Sequence, residues 1–194
     1  MRSMSMVMAN DQEIDKVVSY IGGLNSPKLP ATIKGDLQAG QSLYATCVAC
    51  HGPGGMGNKA LNSPKIAGLP DWYVARQLWG FKNGHRGENP RDVYGQQMRP
   101  MAMALPDEEA INNISAYIAT FDGSGEAPAI TTTVAASGTT DASSTDTGAK
   151  AVTVAAATSG GSAEAGAALY TTCIACHGAD GAGNQALNSP RIAG

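Results

Sequence analysis

Two stretches decide how this chain folds: AGQSLYATCVACHGPGGMGNKALNSPKIAG at residues 39–68 and AGAALYTTCIACHGADGAGNQALNSPRIAG at residues 165–194. They are nearly the same sequence, and each contains Cys-x-x-Cys-His: Cys47, Cys50 and His51 in the first, Cys173, Cys176 and His177 in the second. A second self-match lies outside them, where MRSMSMVMANDQEIDKVVSYI (1–21) aligns with MRPMAMALPDEEAINNISAYI (98–118). The chain is therefore repetitive, opening inside one repeat and closing inside another.

Working outward from these matches gives four segments. Residues 1–27 read as the C-terminal tail of a preceding unit, 28–122 as a complete unit, 123–162 as a linker and 163–194 as the N-terminal head of a further, truncated unit. On this reading the sequence is a fragment of a longer tandem array. The alternative is that the 1–27 tail docks on the 165–194 head, within the chain or between neighbours, although that assembly would lack any counterpart of Leu69 to Gln97. The linker is a Gly, Ala, Ser and Thr tract with no aromatic residue and no sustained amphipathic period. A flexible tract of that length spans roughly 35 Å on average, at about 5–6 Å times the square root of its length. Its AVTVAAA stretch (151–157) has a short strand as the competing reading.

Two thiols one helical turn apart, followed directly by an imidazole, are what covalent haem attachment requires: both thiols reach adjacent edges of one porphyrin, and the His turns to the iron. The four cysteines form two such sets, so one haem c is expected at 47–51 and one at 173–177. A disulfide framework does not demand His at that place twice, and structural zinc draws four ligands from one compact unit. Cys47, Cys50, Cys173 and Cys176 would anchor the two groups, with His51 and His177 as iron ligands. A soft thioether is a suitable second axial ligand, and Met98, Met101 and Met103 lie in the loop expected before the last helix of the central unit. Met101 and Met103 read as core filler.

The formal charge of −3 argues against nucleic-acid binding, which needs a dense Lys/Arg face, and points to protein partners. No run of eighteen apolar residues occurs, so no transmembrane segment is expected, and Met1 to Met8 carries no secretory signal pattern. Three helices are expected in the central unit. Asp36 caps a first, which runs through Leu37, Leu43 and Tyr44 into the Cys pair. A second starts near Pro70 and Asp71, carries Val74, Leu78 and Phe81 on one face, and stops at Asn83-Gly84. The third begins at Pro106 with acids at 107–109 and aligns Ile111, Ile114, Ile118 and Phe121, a stripe that Ile14, Val17 and Ile21 repeat. The fold class is all-α with long loops. Such a small core needs a large apolar cofactor to complete it.

The order CxxCHG, NSPKIAG, DWYVARQLWGFKNGHRG, GQQM and a helix ending in AYI resembles the class I c-type cytochromes of bacteria. It is most similar to periplasmic dihaem cytochromes and to cytochrome c domains fused to subunit II of haem-copper oxidases. The match covers Gln38 to Phe121 and both flanking pieces. The resemblance implies short helices wrapped around covalent haem, in tandem domains joined by a flexible linker. It also implies that the ligand Met stands seven residues before the Leu that opens the last helix, here Met98 before Leu105; the same count back from Met8 gives Met1. By the same resemblance the Pro64 carbonyl accepts a hydrogen bond from the His51 ring, and Pro190 does so for His177, unless either is only a turn residue. Trp79 and Arg86 approach the haem propionates, or are a core Trp and an exposed Arg. His85 reads as solvent-facing.

The function expected is one-electron transfer between respiratory redox partner proteins, a membrane-bound terminal oxidase among them, at the periplasmic or extracytoplasmic face of the membrane. Electron entry into an oxidase through a subunit II is the alternative. A haem enzyme acting on a small molecule such as peroxide ranks last, since no acid–base pair or distal His stands out in the central unit.

Overall fold

The computed structural model describes residues 6–130 and 162–193. Among them every regular element is helical: α1 (Asp11–Gly22), α2 (Leu37–Tyr44), α3 (Val48–His51), a 3₁₀ turn (Lys59–Leu61), α4 (Asp71–Lys82), α5 (Val93–Met103), α6 (Glu108–Ile118) and α7 (Ala163–His177). Extended backbone pairs only at the bridges Asn58 to Ser63 and Asn184 to Ser189, which occupy equivalent places in the two repeats.

Most helices start on a side-chain cap that satisfies otherwise orphaned backbone N–H groups. Asp36 accepts from the amides of Gln38 and Ala39 at 2.8 and 3.0 Å, and Asp107 from that of Ala110 at 2.8 Å. Asn10 and Ser162 do the same for α1 and α7. Pro70 opens α4 without a side-chain cap, because the neighbouring carboxylate is used differently. Asp71, 1 % exposed, accepts from the Thr32 and Ile33 amides at 2.5 and 2.6 Å, from the Thr32 hydroxyl at 3.0 Å and from the Trp72 amide at 2.7 Å. This pins the connector ahead of α2 to the start of α4. A buried carboxylate is tolerable there because every bond to it comes from a donor.

The central unit is organised by the crossing of α2 over α6. A Cβ at Gly40 would meet the Asn113 carbonyl oxygen and stand 2.7 Å from the Tyr117 Cβ, so only glycine allows the two backbones this close. Asn113 adds a hydrogen bond from the Asp36 amide to its side chain at 2.7 Å. Tyr44, Tyr117 and Phe121 meet edge to face or tilted around the crossing, with ring centroids 5.0–5.6 Å apart. Helix α4 lies against α5 and α6 and completes the core with Val74, Leu78 and Phe81. The Lys82 amine holds its end by donating to the Leu105 carbonyl.

Helices α4 and α6 occupy the stretches the sequence indicates; the other two regions differ. The first helix stops at Tyr44 and resumes at Val48, the intervening turn tightening to a Cys47 amide bond on the Tyr44 carbonyl of 2.8 Å. The stretch holding Met98, Met101 and Met103, read as loop, is the helix α5 with Pro100 inside it. Its cap is Asp92, which accepts from the Gly95 amide at 2.9 Å and from the Gly87 amide at 3.2 Å. Beyond residue 122 the chain still touches the central unit, where Ile130 packs against its core. Met1 and the AVTVAAA stretch lie outside the described residues.

At the two ends of the chain α1 packs on α7. The Tyr20 and Tyr170 rings are 5.2 Å apart, and Tyr170 is fully buried.

Candidate functional site

Cys47 and Cys50 stand on either side of the first residues of α3, with His51 closing it. The chain then leaves through Gly52, whose φ of +77° lies in the left-handed region that suits glycine. The Tyr44 hydroxyl reaches forward to donate to the Gly52 carbonyl at 2.7 Å. Burial, with Cys47 and Tyr117 adding to it, holds that phenol well above its ordinary pKa, so it remains a neutral donor. Neither cysteine is in a disulfide: Cys47 is half-buried and Cys50 exposed. Burial pushes the Cys47 thiol up, opposed by its hydrogen bond with the Thr46 hydroxyl and reinforced by Cys50, which keeps it protonated at neutral pH.

His51 is buried, and its Nδ1 lies 2.9 Å from the Pro64 carbonyl oxygen. A carbonyl only accepts, so Nδ1 carries a proton, and in the neutral ring the lone pair is on Nε2. His51 lines a cavity of about 590 Å³ together with Cys47 and Cys50. Val74 and Leu78 from α4, Ile114 and Ile118 from α6, and Ile66 and Leu69 from the intervening loop supply its apolar wall. Met98 and Met101, both on α5, complete it; Met98 is half-buried against the core, whereas Met101 is exposed. Met103 is exposed and does not line the cavity.

Of the remaining candidates, Pro64 and Arg86 line the cavity and Trp79 does not. Trp79 packs against the core cluster instead, because the cavity face of α4 runs through Tyr73, Val74, Gln77, Leu78 and Phe81, and position 79 is turned off that stripe. The Arg86 guanidinium stacks on the Phe81 ring at 4.4 Å and donates to Gln77 Oε1 at 2.5 Å. His85 is exposed and outside the lining. Among the described residues no three His, Cys, Asp or Glu side chains converge as a metal cluster would require, so a four-ligand zinc site has no support. Sequence reasoning missed the grip of Asp71 and the contribution of Leu61 and Tyr94 to the rim of the cavity.

The second Cys-x-x-Cys-His repeats this local geometry. His177 is buried with Nδ1 2.9 Å from the Pro190 carbonyl, Tyr170 donates to the Gly178 carbonyl at 2.8 Å, and Gly178 has a φ of +78°. Here the helix runs unbroken from Ala163 through the motif.

Comparison with known proteins matches residues 37–122 and 163–194 to the cytochrome c family. The chain belongs to the cytochrome c family. It is 38 % identical over 95 residues to a thiosulfate dehydrogenase electron acceptor of Thiomonas intermedia, a match covering 48 % of this chain and 40 % of that protein. It is 41 % identical over 88 residues to a cytochrome c4 of Thiocapsa roseopersicina, covering 44 % and 40 %. With cytochrome c-554(548) of Halomonas halodenitrificans it shares 37 % identity over 84 residues, 43 % of this chain and 93 % of that one. The chain thus matches about two fifths of the length of the first two relatives. Membership in the cytochrome c family goes with the helical class I fold seen here and with covalent haem c. Among the described residues no helix is long and apolar enough to cross a membrane.

Proposed function

We propose that the chain carries one haem c on Cys47 and Cys50 with His51 as iron ligand, a second on Cys173 and Cys176 with His177, and passes single electrons between redox proteins in the periplasm. The observation that supports this most directly is the His51 ring, fixed by the Pro64 carbonyl at Nδ1 and facing an apolar cavity of about 590 Å³ beside two unpaired thiols. The donor set fits a flat apolar macrocycle with a central metal. When bound, the group supplies a one-electron couple whose potential the axial ligands tune.

The protein residues have distinct tasks. The thiols tether, the Pro64 carbonyl fixes the tautomer and orientation of His51, and the aliphatic wall excludes water. Met98 would hold the metal opposite His51's element, from α5; its half-buried place there favours it over the exposed Met101. Arg86, which lines the cavity, would neutralise acidic substituents of the macrocycle. Leu61, Tyr94 and Met101 are exposed at that rim and give a redox partner an apolar approach. The name of the Thiomonas relative suggests a thiosulfate dehydrogenase as one donor class to assay. Neither the oxidase-arm nor the peroxide-enzyme alternative has an observation of its own in the structure.

The test is production with a cytochrome maturation system in a periplasm. The peptides holding 47–51 and 173–177 should each gain the mass of one haem, and the reduced protein should give a low-spin c-type spectrum. Colourless protein of unmodified mass ends the proposal, and a high-spin central haem removes Met98 from it.

A further inference from the structure

We infer that the segment from Asn10 to Ser26 is a working part of the Cys173–His177 site, so that the second haem module is assembled from two stretches of one chain that lie on either side of the central unit. This rests on the reading of that motif as a haem site. The crossing in the second module parallels that of the central one, with α7 in the role of α2 and α1 in the role of α6. A Cβ on Gly166 would meet the Lys16 carbonyl oxygen and stand 2.9 Å from the Tyr20 Cβ, as one on Gly40 meets Asn113 and Tyr117. Leu24 closes on Gly181, where a Cβ would lie 3.0 Å from its Cδ1, as Phe121 closes on Gly55.

A further link runs through Arg191. Arg191 follows Pro190, the residue whose carbonyl holds His177, and donates from Nε to the Ser26 hydroxyl at 3.0 Å and from Nη2 to the Ser26 carbonyl at 2.8 Å. Ser26 is buried by this contact although it lies in a connector. The third guanidinium nitrogen, Nη1, lies 3.2 Å from where a Cβ of Gly68 would be, on the loop that follows Pro64 in the central unit. Two hydrogen bonds from one rigid fork fix direction as well as distance. Arg191 is therefore a positioning residue that fastens the N-terminal segment to the loop orienting His177 and sets that loop beside its central counterpart.

The same chemistry explains why α1 must dock on something. Val17 is buried and Tyr20 meets Tyr170 of α7, and a lone helix of this length is marginal in water. Docking within the chain supplies the partner for that face.

The experiment uses the full matured chain and three variants, Tyr20→Ala, Arg191→Gln and Gly166→Val. Amide exchange of residues 11–24 and haem mass on the two motif peptides are read together. In the unaltered chain these amides should exchange at least about tenfold more slowly than in a free peptide, independent of protein concentration. Tyr20→Ala and Gly166→Val should abolish that protection and lower haem occupancy at 173–177 several-fold, with 47–51 fully occupied. Arg191→Gln should release residues 24–28 and shift the potential of the second haem alone. Tyr20→Ala leaves α7 untouched, so its result stands even where Gly166→Val fails to fold. Haem on Cys173 and Cys176 with α1 exchanging freely overturns the inference while leaving the haem reading intact. Protection that grows with concentration overturns it in favour of docking between chains, and absence of haem from that pair overturns the underlying reading.

Discussion

Asp71 shows how much a single side chain can organise without touching a cofactor. Four donors converge on its carboxylate, so Asp71→Ala leaves them buried and unpaired; the central unit should lose about 2–4 kcal/mol, read as a lower urea midpoint at unchanged slope. Ser115 is the opposite case. Its hydroxyl is fully buried with no hydrogen-bond partner, so Ser115→Ala should be neutral or stabilise by up to about 1 kcal/mol in the same titration. At the iron, the proposed ligand is tested by two residues one helical turn apart. Met98→Ala should lower the reduction potential and open the site to carbon monoxide, whereas Met101→Ala should leave both unchanged; the reverse pattern would transfer the role to Met101. Pro64→Ala should keep the His51 contact, because the acceptor is a backbone carbonyl.

Among the elements, the α2–α6 crossing is the joint on which the central unit depends. Gly40→Ala places a methyl group against the Asn113 carbonyl and the Tyr117 Cβ, and should cost about 1–3 kcal/mol, visible as a fall in Tm. Helices α4 and α6 were legible because their signals are local: Pro70 before α4, Asn83-Gly84 after it, and Asp107 ahead of an isoleucine stripe at helical spacing. Helix α5 was not, since Gly95 and Pro100 are poor helix formers and the Met residues give no clear stripe. Pro100 cannot bond the Gln96 carbonyl, and tertiary contact with α4 carries α5 through that loss. The Asp92 cap was the one sign left. The Cys-x-x-Cys-His sets were readable because a single turn contains all their chemistry. The wall around them was not, because residues 66, 74, 98 and 114 come together only after the chain has folded back on itself.

For the whole molecule, the proposed haem in the central cavity would give protein and cofactor one shared core. Chain made without haem attachment should keep far-ultraviolet helical signal but lose near-ultraviolet aromatic signal and bind a hydrophobic dye, and a sharp native-like thermal transition in that apoprotein would contradict the shared core. The packing of α1 on α7 bears on synthesis as well. Helix α1 precedes α7 in the chain with the central unit between them, so Tyr20 emerges before the surface that covers it. Through translation that early helix is a natural client for a holdase, and the loop closed when its partner arrives encircles the whole central unit, which makes this joint slow to form.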